Sequence, residues 1–141
     1  MEQCTALSES CVFCKIVRKE APASVVYEDN QVIAFMSIQP ANIGHTLVVP
    51  KKHYENIFDI PEDEHAYLYK IVKKIAHAVR GAMSAAGIRI VQNNGAAAGQ
   101  VIFHVHVHVI PMNTHGAFLR PLEIRDLKAL EEDAARIRRF I

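Results

Sequence analysis

The sequence predicts an α+β domain: a five-stranded, largely antiparallel sheet with one long helix and a C-terminal helix. Three observations lead to this prediction. Two short β-prone runs, SVVYE and QVIAFM, are separated by two polar residues, a long amphipathic segment follows in mid-chain, and two later β-prone runs are joined by a loop too short for a helical crossover. We expect the helices to lie on one side of the sheet.

The five strands can be assigned in chain order. The first two form a hairpin whose turn contains Asp29 and Asn30, residue types that favour tight turns. The third, GHTLVVP, is opened by Gly44 and closed by Pro50, and follows the turn-rich loop SIQPANIG. The fourth and fifth, IRIVQN and VIFHVHVHVI, flank the glycine-containing loop NGAAAGQ and should pair antiparallel, which places the fifth strand inside the sheet.

Two segments have the pattern of amphipathic helices. The first begins with an acidic turn after Pro61, should end near Gly87, and has apolar residues at helical spacing: Leu68, Ile71, Val72, Ile75, Ala76 and Val79. The second lies in the tail from Arg120 onward, where Leu122, Ile124, Leu127, Leu130 and Ile137 alternate with charges. We expect this tail to pack on the domain or on a partner.

Composition limits the classes of function. The chain of 141 residues is 50% hydrophobic and 22% charged, as in one globular domain. We expect a single domain over residues 1–141, with a polar leader at 1–10 and a helical extension at 112–141. A formal charge of +1 argues against bulk binding to nucleic acid or to an anionic membrane. No run approaches transmembrane length and no secretion signal is recognisable, so we expect a cytoplasmic location.

The fifth strand contains three histidines in strict alternation. A strand places His104, His106 and His108 on one face, while Val105 and Val107 point to the opposite face and should be buried with Val101, Phe103 and Val109. Neighbouring imidazoles at this spacing suit either a transition metal or phosphate chemistry. Phosphate chemistry needs further polar groups at the same site. The sequence offers His45, Asn93, Gly99 and Gln100.

The cysteines indicate a second kind of chemistry. Cys11 and Cys14 form a C-x-x-C pair, which in a reducing compartment indicates metal binding or redox chemistry more than a structural disulfide. The alternative is a reduced pair without metal, packed in a helical turn. Cys4 lies in the polar leader, and we assign it no specific function.

The stretch HVHVHVI matches the H-φ-H-φ-H-φ-φ signature (φ, apolar) of the histidine triad (HIT) superfamily of nucleotide hydrolases and transferases. The resemblance extends to CVFCKIVRKEAPASVVYEDNQVIAF, GHTLVVPKKH, VQNNG and AGQ, which occur in the order seen in the bacterial members of its nucleotide-binding branch. It covers residues 11–111, which we take as the family core. It implies a HIT-like fold and a homodimer that pairs through the long helix and a strand.

The resemblance also implies roles for the histidines. His106 would attack the α-phosphorus of a nucleoside phosphoramidate, acyl-adenylate or dinucleoside polyphosphate, and water would release the nucleoside monophosphate from a nucleotidyl-histidine. His108 and His45 would contact the phosphate, with help from the Gln100 side chain or nearby backbone amides. His104 would complete the network and orient the strand.

Nucleotide binding is implied for residues on two loops. Asn93 would bond the bound purine nucleotide or its leaving group, within a site that includes Gly99 and Gln100. Ser37 stands where the family usually has an acidic residue on the ribose hydroxyls, so ribose recognition should be weaker or organised differently. Val101 replaces a serine that some members use near the leaving group, which puts efficient phosphoramidate specificity in doubt.

The N-terminus resembles that of bacterial members that bind zinc, and the resemblance implies Cys11, Cys14, His53 and His104 as the zinc ligands here. Such a Cys₂His₂ set closes a structural site, so catalysis should require no metal. Two other functions stay open at this stage. One is a metal-dependent hydrolase that uses the histidine cluster as ligands, and the other is a nucleotide-binding regulatory module with vestigial activity.

Overall fold

The structure, a computed structural model, describes residues 10–113 and 123–141. Its helices are α1 (Val12–Val17), α2 (Glu62–Met83) and α3 (Leu127–Arg138). Its strands are β1 (Val25–Glu28), β2 (Val32–Met36), β3 (Thr46–Pro50), β4 (Gly87–Val91) and β5 (Val107–Met112). The strands form one antiparallel sheet in the order β1-β2-β3-β5-β4. The predicted α+β class and five-stranded sheet are confirmed.

Local signals define the helix and turn boundaries. The Asp29 carboxylate accepts the backbone N–H groups of Gln31 and Val32 and so closes the β1–β2 turn. Helix α2 begins after Pro61 and ends at Met83, and the following residue, Ser84, caps it with a left-handed backbone. The predicted C-terminal helix is present as α3, although Arg120 and Leu122 lie outside the described residues. No helix in the described ranges is long and apolar enough to cross a membrane.

The expectation that all helices lie on one side of the sheet is wrong. Helices α2 and α3 cover one face, packing on residues that include Val32, Ala34 and Val107. Helix α1 covers the opposite face through Phe13 and Ile16, which pack on Ile33, Phe35, Leu47 and Val49. The physical reason is that β2 and β3 are apolar at successive positions, and all ten of their residues are buried. A strand of this kind needs a cover on both faces.

The fifth strand is shorter than predicted. It begins at Val107, and its register with β3 starts at the Val48–Val107 pair. Upstream, the Val105 N–H bonds to the Tyr54 carbonyl in a loop, so residues 101–106 leave the sheet. Val101 is therefore 83% exposed rather than buried, and Phe103 is also exposed, whereas Val105, Val107 and Val109 are buried as expected. The strand is internal, with β3 on one side and β4 on the other.

Candidate active site and metal cluster

Four histidines meet where β5 begins. His108 lies on β5, while His104 and His106 lie in the bend just before it. His45 directly precedes β3, and the β3–β5 register pairs Leu47 with His108, which brings the two histidines into contact. The rings of His106 and His108 have centroids 4.9 Å apart. The sequence prediction that these side chains share one site is therefore compatible with the geometry.

His106 is held as a neutral ring in one tautomer. Its Nδ1 lies 2.7 Å from the carbonyl oxygen of His104, and because a carbonyl can only accept, Nδ1–H is the donor. Burial lowers the pKa of His106, against the opposing effect of this hydrogen bond, so the neutral form is favoured. A neutral ring with its hydrogen on Nδ1 has a lone pair on Nε2. The rings of Phe13 and His106 pack in a T-shaped arrangement, with centroids 5.2 Å apart.

His45 and His108 form a relay whose direction follows from one backbone amide. The Ala41 N–H donates to Nδ1 of His45 at 2.9 Å, so the neutral His45 ring carries its hydrogen on Nε2. This Nε2 lies 2.9 Å from Nδ1 of His108, which must accept. Burial lowers the pKa of His45 to about 3 and that of His108 to about 4, so both rings are neutral. The relay leaves His108 as an Nε2–H donor.

The relay changes the role implied for His45. Both of its ring nitrogens are engaged, with Ala41 and with His108. The geometry therefore has His45 orient His108 rather than contact a phosphate itself. His108 is the half-exposed member of the pair and is the one with a free donor direction.

The His104 ring faces the two cysteines. Its Nε2–H donates to the Pro50 carbonyl at 2.8 Å, which leaves the lone pair on Nδ1. That Nδ1 lies 3.4 Å from Cys11 Sγ, 3.5 Å from Cys14 Sγ and 3.2 Å from His53 Nδ1. Burial lowers the pKa of His104 to about 4, so the ring is neutral, as a metal ligand must be.

The four ligand atoms fit a tetrahedral zinc ion. The described residues contain one group of histidine, cysteine or acidic side chains that could hold a metal ion: Cys11, Cys14, His53 and His104. Their four ligand atoms all lie within 4.8 Å of one another. Tetrahedral zinc places two nitrogen ligands about 3.3 Å apart and a sulfur and a nitrogen about 3.5 Å apart. The observed His53–His104 separation is 3.2 Å and the Cys14–His53 separation is 3.3 Å. The Pro50 carbonyl accepts the Nε2–H of His104, which orients the ring so that Nδ1 points to the other three ligand atoms.

The loop between β4 and β5 contains the predicted nucleotide-binding residues. Asn93 lies beside Gly99, to whose carbonyl its amide donates at 3.4 Å, and Gly99 has a positive φ of 96° that favours glycine. The buried Gln100 side chain donates to the carbonyls of Glu55 and Ile102 and accepts the Gly95 N–H. Its amide therefore holds the loop together, so a direct phosphate contact would have to come from backbone amides.

Ser37 directly follows β2 and is half-buried. Its backbone N–H donates to the carbonyl of His45 at 3.0 Å, so it lies beside the histidine relay. The structure thus brings Ser37 to the same end of the sheet as His45 and His108.

Sequence reasoning missed the backbone atoms that define the site. The Ala41 N–H and the carbonyls of Pro50 and His104 set the tautomers of three histidines. No side-chain pattern reveals such atoms, because every residue has them. Phe13 was also missed, although its place between the two cysteines was a possible signal that it lies against the histidines.

Three alternating histidines, one on β5 and two in the bend before it, lie at the end of an antiparallel sheet, as in the histidine-triad class of proteins. A family model, the HIT domain, matches residues 18–115. The chain belongs to the HIT family.

Two curated relatives show the range of names in the family. The chain is 52% identical over 101 residues to an uncharacterised HIT-like protein of Methanocaldococcus jannaschii, covering 72% of this chain and 78% of that protein. It is 40% identical over 107 residues to an adenylylsulfatase of Arabidopsis thaliana, covering 76% of this chain and 54% of that protein.

Solved structures confirm the predicted HIT-like fold. A Hit-like protein of Bartonella henselae, involved in cell-cycle regulation, superposes with a TM-score of 0.88 at 42% identity, covering 96% of this chain and all of that one. A zinc-bound histidine triad family protein of Mycobacterium smegmatis superposes with a TM-score of 0.81 at 39% identity, covering 93% and 92% of the two chains.

Proposed function

We propose that the protein is a nucleotide hydrolase or transferase that acts at the α-phosphate of a nucleotide derivative through His106. The observation that carries this proposal is the hydrogen bond from His106 Nδ1 to the His104 carbonyl. It leaves an unprotonated Nε2 on a neutral, buried ring, which is the form of imidazole that attacks phosphorus.

The reaction proceeds in two displacements. Nε2 of His106 forms a bond to the α-phosphorus, and the bond from phosphorus to the leaving group breaks with its electron pair on the leaving group. The Nδ1–H bond to the His104 carbonyl is retained and stabilises the positive ring of the nucleotidyl-histidine. Water then attacks phosphorus, and the bond from phosphorus to Nε2 breaks with its electron pair on the imidazole, which restores neutral His106. The proton lost by water passes to solvent, and the leaving group of the first displacement takes a proton from solvent.

His108 stabilises the charge on the phosphoryl oxygens. Because His45 donates to its Nδ1, His108 presents Nε2–H as a neutral donor. The low pKa values of both rings, about 3 and about 4, mean that the donor needs no protonated imidazole at neutral pH. Removing one such donor typically costs about 100- to 1000-fold in kcat.

The Cys₂His₂ cluster is proposed as a structural zinc site. Cys11, Cys14, His53 and His104 would supply all four ligands, so zinc would hold the N-terminal segment against the histidine segment and would take no part in the chemical step. The similarity to the zinc-bound histidine triad family protein of Mycobacterium smegmatis supports this proposal. Ligand thiols must stay reduced, which is consistent with the proposed cytoplasmic location.

The geometry argues against a catalytic metal on the triad itself. Nδ1 of His106 donates to a backbone carbonyl, and Nδ1 of His108 accepts from His45. The lone pair of His104 faces the cysteines. Because the His104 lone pair faces the cysteines, only two of the triad histidines are left for a second metal, fewer than the three protein ligands of a catalytic zinc site.

The proposed ligands are purine nucleotides.

The proposed assembly is a two-fold homodimer. Strand β4 is an edge strand whose side chains are mostly half-exposed, and Ile90 is 40% exposed. An edge of this kind can pair with a second copy and extend the sheet across the dimer. Light scattering at several protein concentrations, with Ile90→Lys as the variant, tests the dimer.

The test of function is a turnover panel with a trapped intermediate. Adenosine and guanosine phosphoramidates, acyl-adenylates, diadenosine polyphosphates and adenylyl sulfate are compared, the last because one relative is named an adenylylsulfatase. His106→Ala should lose about 1000-fold or more in kcat and all covalent nucleotide. His77→Ala, an exposed histidine on α2, is the matched control.

Each alternative predicts a different result. Full turnover in His106→Ala would refute the nucleophile. Activity that is lost on chelation and restored by metal, with no covalent nucleotide, would favour the metal-dependent hydrolase. Tight nucleotide binding by the wild-type protein without turnover on any member of the panel would favour the regulatory module.

A further inference from the structure

The nucleophile lies outside the sheet, so something other than strand pairing must hold it. The β3–β5 and β4–β5 registers begin at Val107 and His108, and residues 101–106 have no ladder partner. His106 is nevertheless buried, with 8% of its surface exposed. Its position depends on the few contacts that fix the preceding bend.

Two of those contacts join the same pair of segments. The Val105 N–H donates to the Tyr54 carbonyl at 2.8 Å, and the neighbouring residues His53 and His104 have their Nδ1 atoms 3.2 Å apart. The ligand pair and the hydrogen bond thus lie side by side and form a two-point clamp between the loop after β3 and the bend before β5. One point of the clamp is the backbone hydrogen bond, and the other is the pair of histidine ligands of the Cys₂His₂ site.

His104 connects this clamp directly to His106. Its side chain is a ligand of the cluster through Nδ1, and its own carbonyl accepts the Nδ1–H of His106 at 2.7 Å. Movement of residue 104 therefore moves the acceptor that selects the tautomer of the nucleophile. Without a metal, the partners of the His104 lone pair are thiols or His53, and an S–H group is a weak donor.

We propose that Cys11, Cys14, His53 and His104, when they bind zinc, act as positioning residues for catalysis by fixing the His104 carbonyl that holds His106 in its reactive tautomer. This inference rests on the proposed function for its catalytic consequence. The effect of the zinc ligands passes to His106 through one residue, His104, whose carbonyl accepts the Nδ1–H of the nucleophile.

The experiment compares zinc-loaded protein, chelated protein and Cys14→Ser, using the full chain. Cys4→Ser is the matched control, because it removes a thiol that is not among the four proposed ligands. Three quantities are measured: the rate of covalent nucleotide formation, the tautomer of neutral His106 from its ring ¹⁵N shifts at fixed pH, and amide hydrogen exchange. Affinity for adenosine monophosphate is measured in parallel.

Zinc loss should slow covalent nucleotide formation by about 100-fold, as expected for a misplaced nucleophile, while affinity for adenosine monophosphate changes little. The His106 ring should become a mixture of tautomers, and exchange should rise in residues 101–106 but not in α2. Readdition of zinc should reverse all three changes in chelated wild-type protein but not in Cys14→Ser.

Unchanged tautomer and exchange in zinc-free protein would overturn the proposal, whatever the turnover. Loss of protection throughout α2 would also overturn it, since the cluster would then maintain the whole fold. If Cys14→Ser does not fold, Cys11→Ser and chelated wild type provide the same comparison. If loaded wild type forms no covalent nucleotide, the proposed function fails, whereas the shifts and exchange still decide the positioning role.

Discussion

The carboxylate of Asp133 on α3 is the most deeply buried charged group described, and its replacement gives a quantitative prediction. The residue is 1% exposed. It accepts two hydrogen bonds from Arg125, at 2.7 and 3.1 Å, and one from Arg136 at 3.0 Å. The backbone N–H of Arg125 in turn donates to the Ile38 carbonyl at 2.9 Å, next to Ser37. The ion pair therefore ties α3 to the loop that follows β2.

Asp133→Asn keeps the shape of the side chain but removes its charge, and an amide cannot accept the planar fork of Arg125. Hydrogen bonds to charged groups contribute about 1.5–3 kcal/mol in favourable cases. The side chains of Arg125 and Arg136 are 27% and 48% exposed, so water partly replaces the lost partner. We therefore expect the free energy of unfolding to fall by about 2 kcal/mol, less than the roughly 3–5 kcal/mol typical of breaking a fully buried pair.

Urea unfolding at fixed protein concentration measures this change, and the corresponding loss in Tm should be about 6 °C for a chain of this size. Amide exchange at Arg125 should also rise. Glu132→Gln is the matched control, since it removes an exposed negative charge from the same helix and should change stability by less than about 0.5 kcal/mol. Equal stability of Asp133→Asn and Glu132→Gln would refute the reasoning.

Two further predictions concern the surroundings of the histidine relay. Gly44→Ala should lower the free energy of unfolding by about 2 kcal/mol, because the φ of Gly44 is +102° and a Cβ there would lie 2.7 Å from Met83 Cγ. Gly87→Ala is the control, since a Cβ at Gly87 would meet no atom within 4 Å. Equal urea midpoints for the two variants would contradict this prediction. Lowering the pH from 7 to 5 should reduce the free energy of unfolding by about 1–2 kcal/mol for each of His45 and His108. In this range the unfolded rings, with a pKa near 6.5, take up protons, whereas the folded rings, with pKa values of about 3 and about 4, do not. Stability should then rise with pH up to about 7 and level off, and His108→Asn should flatten the slope measured by urea unfolding.

Periodicity predicted most of the fold because it reports burial directly. The alternation in residues 104–109 placed the histidines opposite Val105, Val107 and Val109, and the helical spacing predicted α2 closely. The cover on the second face of the sheet was missed, because α1 is only six residues long and too short to show a helical period. The early end of the fifth strand was missed for a related reason. Alternation continues through Val101 and Phe103, but the ladder with β3 ends at the Val48–Val107 pair, and the Val105 N–H bonds instead to the Tyr54 carbonyl. No local pattern reveals a hydrogen-bond partner so distant in the sequence.

The sequence by itself determined which groups are present: three alternating histidines, a fourth before β3, and a C-x-x-C pair with further candidate ligands. These follow from residue identity and period, which are local properties. Only the tertiary structure decided what each group does, because the hydrogen on an imidazole is placed by the partner of its other nitrogen. The His104 carbonyl frees Nε2 of His106, the Pro50 carbonyl turns the lone pair of His104 toward the cysteines, and the Ala41 amide makes His108 a donor. Three similar side chains thus acquire three different roles from backbone atoms that the chain brings to them only on folding.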